Sequence, residues 1–486
     1  MKVSNLTIRT SAGLGLVLMA GCSLNPRGAF NDVEDTVGRA SGKRVSWIRS
    51  GEEASAARGA VQALLSRPLS ADSAAQIALL NNRDLQARFE EIGISYADYI
   101  QAGLPRNPSI TGHIDFSREG PATLYSVAED IVSLLLLPAR KKVAAAQLET
   151  TKKRVASEVL GLVAETKTAF YNLQARQQLL SRLKMIVATN ESSADLAKRM
   201  HDAGNLPDVE LADQQATYSQ SRVDIAQTEA QIRSDRERLN RLMGVWGSDT
   251  RWTLGDSLPP IPGEISTARL EQIAVAQRLD LAMARANVDA IGRNLALRSS
   301  TRFVPVRIDL GLEFEKEPGS AQRRGPSVDI ELPIFDFGQA AIARLEAQWR
   351  QAVNELQALA VEARSEVREA RDLVAANREL ARYYREVLLP QRIQVVNTMQ
   401  LQYNAMQRTP TDLLLAKERE LNTERGYIDA WRDYWIARAE LEMALKGGRP
   451  GGAASGSLRS RTPGARPTSN SPANEGGNTQ QNNGQQ

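Results

Sequence analysis

The sequence predicts a mainly α-helical chain with a membrane β-barrel contribution, in which a unit of one helix, two strands and two long helices occurs twice. Three observations carry this. The two halves repeat each other at a spacing of roughly 200 residues, as duplicated architectures do. Residues 304–315 alternate strictly between apolar and polar. Long proline-free stretches place apolar residues every seventh position, the period of packed helices.

The repeat is read from matching landmarks. One half opens with Leu69-Ser70-Ala71-Asp72 and a helical run containing Asn82-Arg83-Asp84-Leu85-Gln86-Ala87. The other opens with Ile265-Ser266-Thr267-Ala268 and a run containing Arg278-Leu279-Asp280-Leu281-Ala282-Met283. Each run meets a proline-bearing break, at Pro105 and Pro108 or at Pro305, and strand-like sequence follows. The later helix breaks also correspond, His201-Asp202-Ala203-Gly204-Asn205-Leu206 with Tyr403-Asn404-Ala405-Met406-Gln407-Arg408.

The strands show a period of two. Val304, Val306, Ile308, Leu310, Leu312 and Phe314 are separated by Pro305, Arg307, Asp309, Gly311, Glu313 and Glu315. Val328, Ile330 and Leu332 alternate with Asp329, Glu331 and Pro333. In the first half Ile110, Gly112, Ile114 and Phe116 alternate with Thr111, His113, Asp115 and Ser117, and a less regular apolar run extends from Leu124 to Leu137. A face of regularly placed charges is unsuited to cover by helices. Lipid on one side and water on the other accounts for both faces, and the length suits the roughly 9–11 residues that cross the hydrocarbon. Four strands cannot close a barrel, which needs about eight, and open strand edges are not tolerated in lipid. Spanning strands therefore require copies to share one barrel, eight strands from a dimer or twelve from a trimer.

Helices follow directly. Residues 139–203 contain no proline and at 1.5 Å per residue extend roughly 95 Å. The return helix places Leu211, Tyr218, Ile225, Ile232 and Leu239 seven apart, and the last helix offers Leu421, Ile428 and Trp435 beside Trp431 and Tyr434. These are coiled-coil seams.

Composition narrows function. Cys22 is the single cysteine, so no internal disulfide and no cysteine-based cluster can form, and the two histidines, His113 and His201, lie far apart. Lys+Arg 61 against Asp+Glu 57 leaves a net charge of +4, without the basic concentration a nucleic-acid surface needs. No nucleophile–base pair or carboxylate pair in a recognisable motif supports an enzyme, and no cofactor is expected. Beyond the leader no run of 18 apolar residues occurs, so no transmembrane helix is expected.

Residues 1–21 read as a signal peptide: Lys2 and Arg9, an apolar Ala12–Ala20 stretch, then Leu18-Met19-Ala20-Gly21-Cys22. Its end resembles the lipobox of bacterial lipoproteins, with Met19 where an apolar residue is expected and Leu18 one step back. That resemblance implies a lipidated Cys22 as first mature residue, and Ser23 is compatible with outer-membrane sorting. The alternative is an ordinary cleaved signal with an incidental cysteine. The expected organisation is then a lipidated segment at 22–68, a first repeat at 69–246, a Pro/Gly linker at 247–264, a second repeat at 265–446 and a low-complexity tail at 447–486 too polar to order.

Taken in order and duplicated, several segments make the chain resemble the TolC family of outer-membrane efflux lipoproteins. They are Leu332-Pro333-Ile334-Phe335-Asp336-Phe337-Gly338, Asp202-Ala203-Gly204-Asn205-Leu206, Tyr403-Asn404-Ala405-Met406 and Arg238-Leu239-Asn240-Arg241-Leu242-Met243-Gly244. The resemblance implies a homotrimer with a 12-stranded barrel in the outer membrane and an α-helical barrel across the periplasm. It implies docking to a periplasmic adaptor and an inner-membrane pump, with no chemistry of its own. Turn-to-turn matching puts Asp412 at an acid of the pore-narrowing ring, Glu210 as its first-half counterpart, and Arg408 and Tyr403 among the closing contacts of the gate. A second acid of that ring is Leu415 here. The competing reading is a coiled-coil scaffold or adaptor, tethered by its lipid and not spanning the membrane.

Overall fold

A computed structural model describes residues 25–118, 120–255, 259–263, 269–304, 307–331 and 334–447. The leader with Cys22, the tail from 448, Ile265–Ala268, Pro305, Val306, Leu332 and Pro333 lie outside the described residues.

The first half runs α1 (Arg27–Ser41), α2 (Gly51–Leu65), α3 (Ala71–Asn81), α4 (Arg83–Ala102), β1 (Ser109–Ser117), β2 (Gly120–Asp130), α5 (Ile131–Leu135), α6 (Leu137–Asp202) and α7 (Asp208–Met243). The second runs α8 (Leu270–Gln277), α9 (Leu279–Ser300), β3 (Arg307–Lys316), β4 (Arg323–Glu331), α10 (Gln339–Tyr383), α11 (Leu389–Asn404) and α12 (Pro410–Lys446). Apart from α1, α2 and α5, and with α10 and α11 together standing where α6 does, the halves match element for element, and the duplication reaches single hydrogen bonds. Asn82 and Arg278 occupy the same backbone conformation at the start of α4 and α9, φ −67°, ψ 122° and φ −63°, ψ 126°. The Asn82 amide donates to the Leu242 carbonyl at 2.9 Å, and Arg278 to the Ala444 carbonyl at 3.3 Å. Residues 242 and 444 stand 202 apart, the same offset as Gly204 and Met406 at the helix turns.

The end of α7 shows why one glycine is needed. Gly244 has φ +67°, and a Cβ there would lie 2.7 Å from the Asn81 carbonyl oxygen. Asn81 closes the joint by donating to the Gly244 carbonyl at 2.7 Å.

Segment 22–68, to which the sequence reading gave no element, holds α1 and α2. Phe30, Val33 and Val37 form a buried helical stripe on α1. Phe30 meets Phe89 edge-on at 5.0 Å and Trp47 at 5.5 Å. A reciprocal Ser50–Glu53 capping box starts α2.

With 66 residues, α6 extends about 100 Å, and its stretch from Leu148 to Ala175 carries the main core. Val155, Val159, Phe170 and Leu173 are buried there against α3, α4 and α12. Tyr171 stacks on Trp435 at 5.4 Å and meets Trp431 edge-on at 5.9 Å. The α12 seam is as expected at Leu421 and Ile428, which are buried. On α7 only Leu239 of the expected seam is fully buried; Leu211, Tyr218, Ile225 and Ile232 are half-buried, and Ser221 and Thr228, three positions after Tyr218 and Ile225, are buried with them. Small polar residues at these second heptad positions let α7 approach closely without an apolar pair.

The second long helix is interrupted. A π-turn at Tyr384–Leu388 joins α10 to α11 just before Pro390, whose missing N–H leaves a carbonyl one turn back without its usual partner. Tyr384 leans on Gly426 of α12, where a Cβ would lie 2.7 Å from the phenol oxygen.

The strands form one antiparallel sheet in the order β1-β2-β3-β4. One expectation needs correction: the apolar run 124–137 is not all strand. Asp130 ends β2, and its side chain accepts from the Ser133 N–H at 3.1 Å, starting α5.

Candidate functional site

The register separates the sheet into two chemically distinct faces. One carries Ile110, Ile114 and Phe116 of β1, Tyr125 and Val127 of β2, Leu310, Leu312 and Phe314 of β3, and Val328 and Ile330 of β4. Phe116 is 86% exposed, Ile110 78% and Leu312 57%. This face is mainly apolar, interrupted by Glu129 opposite Leu310 and Arg324 opposite Phe314, and an apolar surface of this extent is one that another apolar medium covers.

The opposite face carries Asp115, Asp130, Asp309, Glu313, Glu315, Asp329 and Glu331 against Arg307 and Arg323, seven carboxylates and two guanidinium groups. Asp130, Asp309 and Asp329 are direct neighbours across β2, β3 and β4. Arg307 pairs with Asp309 at 2.7 Å, and Arg106 with Asp130 at 3.3 Å. Along β3 the inward burial falls on this polar side, with Asp309 buried and Leu310 and Leu312 exposed. That is the reverse of a soluble sheet.

At the far end of the long helices, the two turns share one backbone hydrogen-bond pattern. Asn205 N–H donates to the Met200 carbonyl and Gln407 N–H to the Gln402 carbonyl, both at 2.8 Å. The left-handed position is Gly204 in the first (φ +76°) and Met406 in the second (φ +57°). A non-glycine residue there is disfavoured, and the Met406 side chain stands 95% exposed at the tip.

The four residues expected at the gate all lie at these turns. Glu210 and Asp412 occupy equivalent third positions of α7 and α12, but their local roles differ. Thr409 caps α12, and Asp412 accepts from the Thr409 N–H at 3.2 Å and from its hydroxyl at 2.9 Å. Pro207 stands where Thr409 does and offers no side-chain cap, so Glu210 has no such partner and is exposed. Arg408 is exposed and donates to the Gln402 side chain at 3.2 Å. Tyr403 is partly exposed on the last turn of α11. Leu415, one turn after Asp412, is exposed.

The hydrogen bonds from the Thr409 side chain and backbone hold the Asp412 carboxyl below its ordinary value of 3.8. A depressed carboxylate contributes stability above its unfolded pKa and loses it as pH falls through the folded one. Amide exchange in the first turn of α12, corrected for intrinsic rates, should therefore be constant from neutral pH down to about pH 5 and rise only below about pH 4. A rise beginning near neutrality would show that the box does not hold this turn.

Two site features were missed from sequence. His201 Nε2 contacts Asp208 Oδ1 at 2.6 Å across the first turn; its spacing of seven across a break gives no periodic signal. Arg278 is buried between Asp280, at 2.6 Å, and Glu366, at 2.8 Å. Burial works to lower its pKa, and the hydrogen bonds to Asp280 and Glu366 outweigh that and raise it. The partner 88 residues away could not be read locally.

Comparison with known proteins agrees with this geometry. The family model described as outer membrane efflux protein matches residues 136–245. The chain is 22% identical over 387 residues to the cobalt-zinc-cadmium resistance protein CzcC of Cupriavidus metallidurans, covering 78% of this chain and 90% of that protein. Among solved structures it resembles a membrane protein from Pseudomonas aeruginosa, with TM-score 0.65, 19% identity and coverage of 79% and 93%. It also resembles the Campylobacter jejuni CmeC outer membrane channel, with TM-score 0.65, 15% identity and coverage of 78% and 86%. The fold is that of these two solved structures.

Proposed function

We infer the role of this chain from its membership of the TolC family of outer membrane efflux proteins: it is a passive outer-membrane export duct of a tripartite efflux system. The observation that carries the reading is the two-faced sheet set on helices of about 100 Å. The apolar face meets lipid, the acidic face lines water, and the helices continue the passage through the periplasm.

β1 and β4 end the sheet, and unpaired edges do not persist in hydrocarbon. Three copies, each joining β4 to the next β1, give the twelve strands of a closed homotrimeric barrel. The duct receives cargo from an inner-membrane pump through a periplasmic adaptor that meets the α6–α7 and α11–α12 turns. Asp412 and Glu210 face the narrowed tip as the acidic ring, and Arg408 and Tyr403 take part in its closing contacts. The capping role of Asp412 supports this reading, because a carboxylate held ionised stays charged where the passage is narrowest. Seven carboxylates against two arginines on the sheet's inner face favour cations over anions.

Cys22 is the proposed lipid anchor, secondary to the barrel. Cys22→Ser should leave the protein in the membrane fraction, resistant to carbonate extraction. Release into the soluble fraction would favour the lipid-tethered scaffold instead.

A further inference from the structure

The elbow between β2 and α6 carries polar atoms that the conducting path does not use. Ser133 Oγ and Arg140 Nε are buried without a hydrogen-bond partner, and so is Glu129 Oε1. Ser133 is only 7% exposed. The two donors are held together, because Arg140 Nη2 donates to the Ser133 carbonyl at 2.7 Å. Buried donors left unpaired are rare and costly, and here two of them belong to residues joined by one hydrogen bond.

The setting defines the acceptor that suits these donors. Leu134 and Leu135 of α5 follow Ser133 directly and are 46% and 74% exposed, and α5 packs on β3, whose exposed Leu310 belongs to the sheet's apolar face. The elbow therefore continues the proposed lipid-facing surface at the end of the strands where the helices begin. Lys141 and Lys142 follow at once and are exposed. An acceptor beside apolar chains and cations, at the depth where hydrocarbon gives way to water, is the phosphate of a phospholipid.

We propose that the β2–α5–α6 elbow binds an anionic glycerophospholipid of the phosphatidylglycerol type in the periplasmic leaflet of the outer membrane, a site that rests on the reading of the sheet as membrane-spanning. Arg140 Nε and Ser133 Oγ donate to the phosphate, and Lys141 and Lys142 add attraction for its charge. Leu134 and Leu135 meet the acyl chains. Glu129 Oε1, an acceptor, takes a hydroxyl of the glycerol headgroup, which a choline headgroup cannot supply.

Native mass spectrometry of the detergent-purified full chain, mixed with equal amounts of phosphatidylglycerol and phosphatidylcholine, tests the site. The expected result is preferential retention of phosphatidylglycerol, reduced about fivefold by Arg140→Gln, the worth of one cation near a lipid surface. Ser133→Ala and Lys142→Gln should each weaken retention and carry the test if Arg140→Gln does not assemble. Inorganic phosphate in excess should not displace the lipid, because it lacks acyl chains. Equal retention of both lipids, or displacement by inorganic phosphate, would overturn the site. Each preparation is also measured for conductance: a conducting assembly without lipid preference defeats only the elbow, whereas a non-conducting one defeats the duct on which it rests.

Discussion

Arg278→Met should destabilise the protein by about 3–5 kcal/mol, the usual cost of removing one partner from a buried ion pair. The side chain is 1% exposed, and its three nitrogens serve Asp280, Glu366 and the Ala444 carbonyl. Without it two carboxylates face each other among apolar packing, and the end of α12 loses its tie to α9. Asn82 holds the equivalent joint of the first half with a neutral amide, so an apolar replacement there should be milder. Chemical denaturation of the detergent-solubilised protein followed by circular dichroism measures this. A loss under about 1 kcal/mol, the range of exposed pairs, would show that the triad is solvated. Replacing all three side chains with apolar residues of similar volume should recover most of the loss.

Leu312→Arg should cost about 2–4 kcal/mol of membrane assembly, the penalty for arginine at mid-depth on a lipid-facing strand. Leu312 sits in the middle of β3 on the exposed apolar face, opposite Val127 and Pro326. Glu313→Arg, one residue further and on the other face, should assemble normally and alter only the charge of the lumen. The fraction of protein in the membrane as a stable oligomer distinguishes the two. Equal assembly of both variants would remove the distinction between the faces.

What sequence could disclose follows from the range of the interactions concerned. Strand β3 was legible because its two media impose a period of two on consecutive residues, and the helix turns were legible because both copies share a spacing. β2 was less so: Leu124 lies on its inner face and Glu129 on its outer face, which blurs the alternation, and the end at Asp130 depends on a side-chain cap. The start of α2 is signalled by Ser50 and Glu53 at capping-box spacing, whereas α1 has no side-chain cap to announce it. The π-turn could have been suspected from Pro390, but its accommodation by Gly426 is a contact between distant helices. Arg278 reads as an ordinary helix-start residue until the fold brings Glu366 to it. At the tip, sequence placed Asp412 and Glu210 in equivalent positions. Only the structure separates a carboxylate that caps its helix from one that does not.

The central claim is that the sheet crosses a membrane, with its acidic face lining a shared passage. Planar-bilayer recording of the purified protein tests this most directly. A stable oligomer with discrete conductance and a reversal potential favouring cations is the predicted result. A protein that assembles stably yet conducts nothing would contradict it.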